Sequence, residues 1–128
     1  NNGGIDLIVV GIGRNGHIGF NEPGTPFEKY SHVVELDAVT TAVGQKYFNK
    51  KTTLTKGITL GLQHLLDAKE AILIANGEKK ADVIKKSAED GISVDMPASV
   101  IRKHNNAVVI VDEEAASLLD KRGHYEAE

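Results

Sequence analysis

Residues 5–10, Ile-Asp-Leu-Ile-Val-Val, form a nearly continuous apolar run rich in β-branched side chains and stopped by Gly11. Such a run reads as a short buried strand of the kind found in parallel sheets. The next segment constrains the fold further. Residues 11–26 contain five glycines and two prolines, so the strand empties into a long loop and not into a helix.

The remaining pattern alternates strands with helices. Residues 32–36 read as a second, partly exposed strand, and Asp37 is placed to N-cap a helix reaching about Asn49, with Val39, Ala42, Val43 and Tyr47 along one stripe. Residues 50–57 are polar and Thr-rich and read as a connector, and residues 58–66 as a short helix with Leu62, Leu65 and Leu66 facing inward. Residues 70–75 are a strand ended by Asn76-Gly77, and residues 78–89 a helix with Val83, Ile84 and Ala88 on one face. Pro97 suits the first position of a helix running to His104, with Asp95 as its cap. Residues 107–111 are the last strand, and Asp112 is placed to cap a helix through Leu119. The expected fold is α/β and Rossmann-like, a mostly parallel sheet with flanking helices over residues 1–120, followed by a polar tail at 121–128.

Composition excludes several function classes. The 128 residues are 41% hydrophobic and 26% charged, which fits a globular core and not a disordered chain. No apolar run approaches the ~20 residues of a spanning helix. Fifteen basic against eighteen acidic residues give a net charge of −3, so neither nucleic acid nor an anionic membrane is an expected partner. Cysteine is absent, which removes disulfides, thiol nucleophiles and Cys-based zinc sites. The histidines show no H-x-x-x-H or H-E-x-x-H spacing, so no metal is expected. No leader-like segment precedes the first strand, and a cytoplasmic location is the expectation.

The loop carries two competing readings. Gly11-Ile12-Gly13-Arg14-Asn15-Gly16 matches the G-x-G-x-x-G dinucleotide fingerprint, and Glu35 lies about twenty residues on, where a ribose-binding acid is placed in such proteins. That fingerprint needs a helix to start in the loop, because the helix N-terminus holds the pyrophosphate. Gly19, Pro23, Gly24 and Pro26 leave no room for one. The alternative is chemistry within the loop, where Asn15, His17 and Glu22 fall within eight residues at a strand's carboxyl end. A histidine beside a carboxylate is a workable acid–base pair, because the carboxylate fixes the ring tautomer and orientation.

Residues 6–25 as a whole resemble the signature loop of the glucosamine-6-phosphate deaminase/isomerase family, above all in Gly16-His17-Ile18-Gly19-Phe20-Asn21-Glu22-Pro23. The 6-phosphogluconolactonases resemble only the Gly-x-Gly-x-x-Gly-His part. The likeness continues through Leu65-Leu66-Asp67-Ala68-Lys69-Glu70, Gly77-Glu78-Lys79-Lys80 and Pro97-Ala98-Ser99-Val100, and ends near residues 112–116.

The resemblance implies aldose–ketose isomerisation and deamination of glucosamine 6-phosphate to fructose 6-phosphate and ammonia, with no cofactor. It makes His17 the acid–base that opens the pyranose ring, oriented by Glu22 and Asn15. Some members carry Asp where this chain has Asn15, which keeps the hydrogen bond without adding a charge. Phosphate binding transfers to Lys80, after the Gly77 turn, and to Lys46, where the family pattern has Arg. Lysine keeps the charge but not the bidentate fork. Family members are roughly twice as long, so the resemblance makes residues 1–120 the C-terminal portion of the domain, without the phosphate loop and enolisation Asp of the other half. On that basis the chain alone is expected to be inactive or nearly so, and a homo-oligomer is a further expectation. Two other readings stay open: a galactosamine-6-phosphate isomerase, and a non-catalytic sugar-phosphate-binding domain.

Overall fold

The computed structural model describes residues 3–36, 38–46, 49–50 and 54–120. In chain order its elements are β1 (Leu7–Val10), β2 (His32–Glu35), α1 (Ala38–Gln45), β3 (Lys56–Thr59), α2 (Leu62–Asp67), β4 (Glu70–Ala75), α3 (Ala81–Glu89) and β5 (Ala107–Val111). A 3-10 turn, Glu78–Lys80, leads into α3, and a 3-10 segment, Pro97–Lys103, precedes β5.

The three apolar runs form one parallel sheet in the order β1-β4-β5, with Val9, Ile72 and Val108 in register across it. One face of this sheet is the core. Ala71, Leu73 and Ala75 are buried on it beside Ile8, Val10, Val109 and Val111. Leu62 and Leu65 of α2, Val83 and Ile84 of α3, and Val100 and Ile101 of the 3-10 segment belong to the same cluster. The opposite face carries Leu7, Val9, Ile74, Val108 and Ile110, all exposed. The strands are thus apolar on both sides, as parallel strands are, although only one side is covered among the described residues.

The connector expected at residues 50–57 and the helix start at 58 are corrected. Residues 56–59 are a strand, β3, which pairs antiparallel with β2 in a separate two-stranded sheet, and the helix begins only at Leu62. Val33 stands opposite Ile58, and Glu35 opposite Lys56 with an ion pair of 3.4 Å, two of the cross-strand pairs that stabilise such ribbons. Glu35 is therefore a ribbon residue paired with a lysine and not a ribose-binding acid.

Other boundaries also differ from expectation. The first helix ends at Gln45, and Ala42 on its expected buried stripe is exposed. Asp37 and Tyr47, the expected cap and stripe residue, lie outside the described residues. Asp95 does not cap the Pro97 segment. Met96 precedes it without a side-chain cap, and buried Ser99 holds the approach by bonding both the N–H and C=O of Ser93. The helix expected after Asp112 is a series of turns over 113–118, in which one bond of i+4 spacing (Ala116 N–H to Asp112 C=O) gives way to bonds of i+3 spacing (Ser117 N–H to Glu114 C=O, Leu119 N–H to Ala116 C=O).

Candidate active site

Because β1, β4 and β5 run parallel, the loops that leave their carboxyl ends gather at one edge of the sheet, where open α/β folds place their ligands. Asp112, directly after β5, accepts the Gly77 N–H through both carboxylate oxygens, at 3.0 and 3.1 Å, and the Ala115 N–H at 2.8 Å. Lys80 Nζ donates to the Ile12 carbonyl in the loop after β1. All three loops are therefore tied to one another.

The long loop after β1 is held from two sides. From the ribbon, Thr59 Oγ1 accepts the Phe20 N–H at 3.2 Å, and the buried Asn21 amide donates to the Ile18 and Leu60 carbonyls at 2.9 and 2.8 Å. From the segment before β5, the Ala98 N–H donates to the Gly16 carbonyl at 2.9 Å, and the Gly24 N–H to the Val94 carbonyl at 2.8 Å. Gly16 has a φ of +87°, and a side chain there would run into Met96. The glycines allow chain crossings that anchor the loop, so the segment is ordered without containing a helix.

Within this loop the structure brings Asn15, His17 and Glu22 together. Residues 13–16 form a tight turn closed by a 2.9 Å bond from the Gly16 N–H to the Gly13 carbonyl. Asn15 Oδ1 accepts the His17 backbone N–H at 3.1 Å and lies 2.8 Å from His17 Nδ1, while Asn15 Nδ2 donates to Glu22 Oε2 at 2.7 Å. Glu22 Oε1 lies 3.7 Å from His17 Nδ1. The backbone N–H can only donate and the carboxylate only accept, so the amide orientation is fixed. Its oxygen faces Nδ1, which must then carry the proton. That assigns the Nδ1–H tautomer and leaves Nε2 as the basic nitrogen, with no hydrogen-bond partner among the described residues. Gly13 is required beside it, because a Cβ at that position would overlap the His17 ring.

Lys80 is where the sequence placed it, in the turn that opens α3. Partial burial lowers its ammonium below the ordinary lysine value, and the charge of Arg14 lowers it further. A cleft of about 480 Å³ runs past it, lined also by Arg14, Asn76, Gly77, Glu78, Lys79 and Glu114. Lys46 stands apart: it is exposed just beyond α1 and does not line this cleft. Arg14 is a site residue that sequence reasoning misses, because it fills a variable position of the glycine motif. The signal that could find it is an arginine inside a turn whose next residue is functional.

A hydrogen-bonded His–Asn–Glu set and a partly buried lysine at the carboxyl edge of an open parallel sheet are an arrangement that can carry acid–base chemistry beside a cation able to meet an anion. Comparison with known proteins gives the family. The profile of the family described as glucosamine-6-phosphate isomerases/6-phosphogluconolactonase matches residues 1–110, and the chain belongs to this family. It is 46% identical over 123 residues to a glucosamine-6-phosphate deaminase of Shouchella clausii, covering 95% of this chain and 50% of that protein. It is 46% identical over 118 residues to the glucosamine-6-phosphate deaminase of Streptococcus pneumoniae strain Hungary19A-6, covering 91% and 50%. Among solved structures, a monomeric glucosamine-6-phosphate deaminase superposes with a TM-score of 0.78 at 44% identity, over 88% of this chain and 47% of that one. The 6-phosphogluconolactonase of Trypanosoma brucei, at 22% identity and a TM-score of 0.64 over 88% and 41%, shares the fold. The chain spans about half the length of the curated relatives it matches.

Proposed function

We propose that residues 1–120 are the C-terminal portion of an enzyme that isomerises and deaminates glucosamine 6-phosphate, consuming one water and releasing fructose 6-phosphate and ammonia. The observation that carries the reading is the lock on His17. Asn15 holds Nδ1–H, Glu22 holds Asn15, and Nε2 is left as a free base (the nitrogen a ring-opening catalyst needs). In ring opening, Nε2 takes the proton from the anomeric hydroxyl and returns it to the ring oxygen as the C1–O5 bond breaks. The imidazolium formed in between is stabilised by Glu22 at 3.7 Å, while the Asn15 carbonyl keeps the ring from turning. Lys80 binds the phosphate of the substrate. The later proton transfer from C2 to C1 needs a further base, which the resemblance assigns to an Asp in the other half of the family domain.

The relatives at 46% identity support the gluco substrate. The test is ammonia release by the full-length protein, with glucosamine 6-phosphate and galactosamine 6-phosphate assayed side by side. Preference for the gluco epimer is expected. Preference for the galacto epimer would keep the mechanism and change the substrate, and binding of either without ammonia release would reduce the site to a sugar-phosphate receptor.

A further inference from the structure

The cleft beside Lys80 contains a cation that the family resemblance does not account for. Arg14 is the second residue of the turn 13–16 and Asn15 the third. Asn15 joins His17 and Glu22, whereas Arg14 lines the cleft shared with Lys80, Asn76 and Gly77. The geometry points to Arg14 as a second phosphate-binding residue of this site, acting with Lys80 on the phosphate of the sugar substrate, an inference that rests on the sugar-phosphate reading above.

Three observations carry it. First, Arg14 makes no ion pair among the described residues, although Glu78 and Glu114 border the same cleft. Second, the Lys80 ammonium is bound to a neutral carbonyl, that of Ile12, which positions it without neutralising it. With Lys79 also on the border, the cations facing this cleft repel one another in the empty site, and a phosphate dianion between Arg14 and Lys80 relieves that repulsion. Third, the turn that carries Arg14 is anchored. The Gly16 N–H closes it on the Gly13 carbonyl, the Gly13 N–H donates to the His17 carbonyl, and the Gly16 carbonyl accepts the Ala98 N–H, each at 2.9 Å. A single turn thus holds the residue that orients the acid–base histidine and the one that grips the phosphate, which fixes the distance between the two ends of the substrate. A guanidinium suits the task, since its planar fork can meet two phosphate oxygens at once. Lys46, the other expected cation, does not reach this cleft.

The experiment uses the full-length protein and its Arg14→Gln and Arg14→Lys variants. Inorganic phosphate and glucosamine 6-phosphate binding are measured by calorimetry, and KM and kcat for ammonia release are measured in parallel. Arg14→Gln is expected to weaken binding of both ligands and raise KM by about ten- to a hundredfold with kcat nearly unchanged, and Arg14→Lys to recover part of the loss. Ammonia release with an unchanged KM and unchanged phosphate affinity in Arg14→Gln would overturn the role of Arg14 and leave the deaminase reading intact. Arg14-dependent phosphate binding without ammonia from either epimer would sustain the anion site and refute the deaminase reading instead. A fall in kcat alone, at constant KM, would also count against a phosphate contact.

Discussion

At the scale of single residues, His17 and Gly13 make opposite demands on the same space. His17→Gln removes the base but leaves the loop, and in the full-length enzyme kcat on the closed-ring substrate is expected to fall by about 10²–10⁴, the usual contribution of a positioned acid–base. Steady-state turnover checks this, and an unchanged kcat would take His17 out of ring opening. Gly13→Ala keeps every catalytic group. The added methyl displaces the imidazole from Asn15, because the ring occupies the position of the absent Cβ. Turnover should therefore fall as it does for His17→Gln, while the thermal midpoint moves little, since the half-exposed ring can give way without disturbing the core. A variant that unfolds instead would show that the glycine serves the loop backbone and not the ring. The acid–base trio is legible in the sequence because it lies within one short loop. Arg14 is not, because only the folded turn separates its direction from that of Asn15.

At the scale of elements, α2 is docked to the chain entering β2 by side chains that are themselves titratable. Tyr30 Oη donates to Asp67 Oδ2 at 2.7 Å, Gln63 Nε2 donates to Asp67 Oδ1 at 2.7 Å, and His64 Nε2 accepts the Ser31 N–H at 3.2 Å. The Tyr30 hydroxyl, followed by the Gln63 amide, holds the Asp67 carboxyl below its ordinary value of 3.8. A depressed carboxyl stabilises the folded state above that ordinary value, and its contribution is lost as the pH falls through the folded-state value. The difference in urea midpoint between the native chain and Tyr30→Phe should therefore be constant at neutral pH and shrink toward zero in acid. A difference that persists in acid would assign the effect to the Tyr30 hydroxyl as a donor to either protonation state of Asp67 and not to the carboxylate charge, since the phenylalanine keeps the ring that packs on His64. The elements that sequence identifies correctly, β1, β2, β4, β5 and α3, are those whose apolar pattern alone selects them. The element it misses, β3, is Lys-Gly-Ile-Thr, with one apolar side chain and a glycine. It is a strand because β2 pairs with it and because Phe20 packs over Gly57, where a Cβ would come within 2.7 Å of the Phe20 ring. The opposite discrepancy lies after Asp112, whose carboxylate is divided between Gly77 and Ala115 and tethers the β4 loop as much as it caps its own turn.

At the scale of the molecule, the parallel sheet has one face packed and one bare. Leu7, Val9, Ile74, Val108 and Ile110 are each between 47% and 53% exposed. All-parallel sheets are normally covered on both faces, and in a polypeptide of the relatives' length the remaining half is available as the second layer. The size of the patch determines how the 128-residue chain should behave by itself. Completing the burial of five such side chains is worth about 5 kcal/mol per copy, and about 10 kcal/mol when two copies cover each other, taking roughly half of the 1.5–3 kcal/mol for full burial of each. Association costs about 4–15 kcal/mol in lost rigid-body freedom, so the two terms are of similar size and the face drives concentration-dependent contact. Sedimentation velocity over a wide concentration range should show reversible growth in mass, and replacing Val108 and Ile110 with lysine should abolish it without lowering the thermal midpoint, because neither side chain is in the core. A chain that stays monomeric at every concentration would mean that the face is covered by some other means. The monomeric state of the solved deaminase relative is compatible with the same physics, since a face closed within one longer chain has nothing left to offer a second copy.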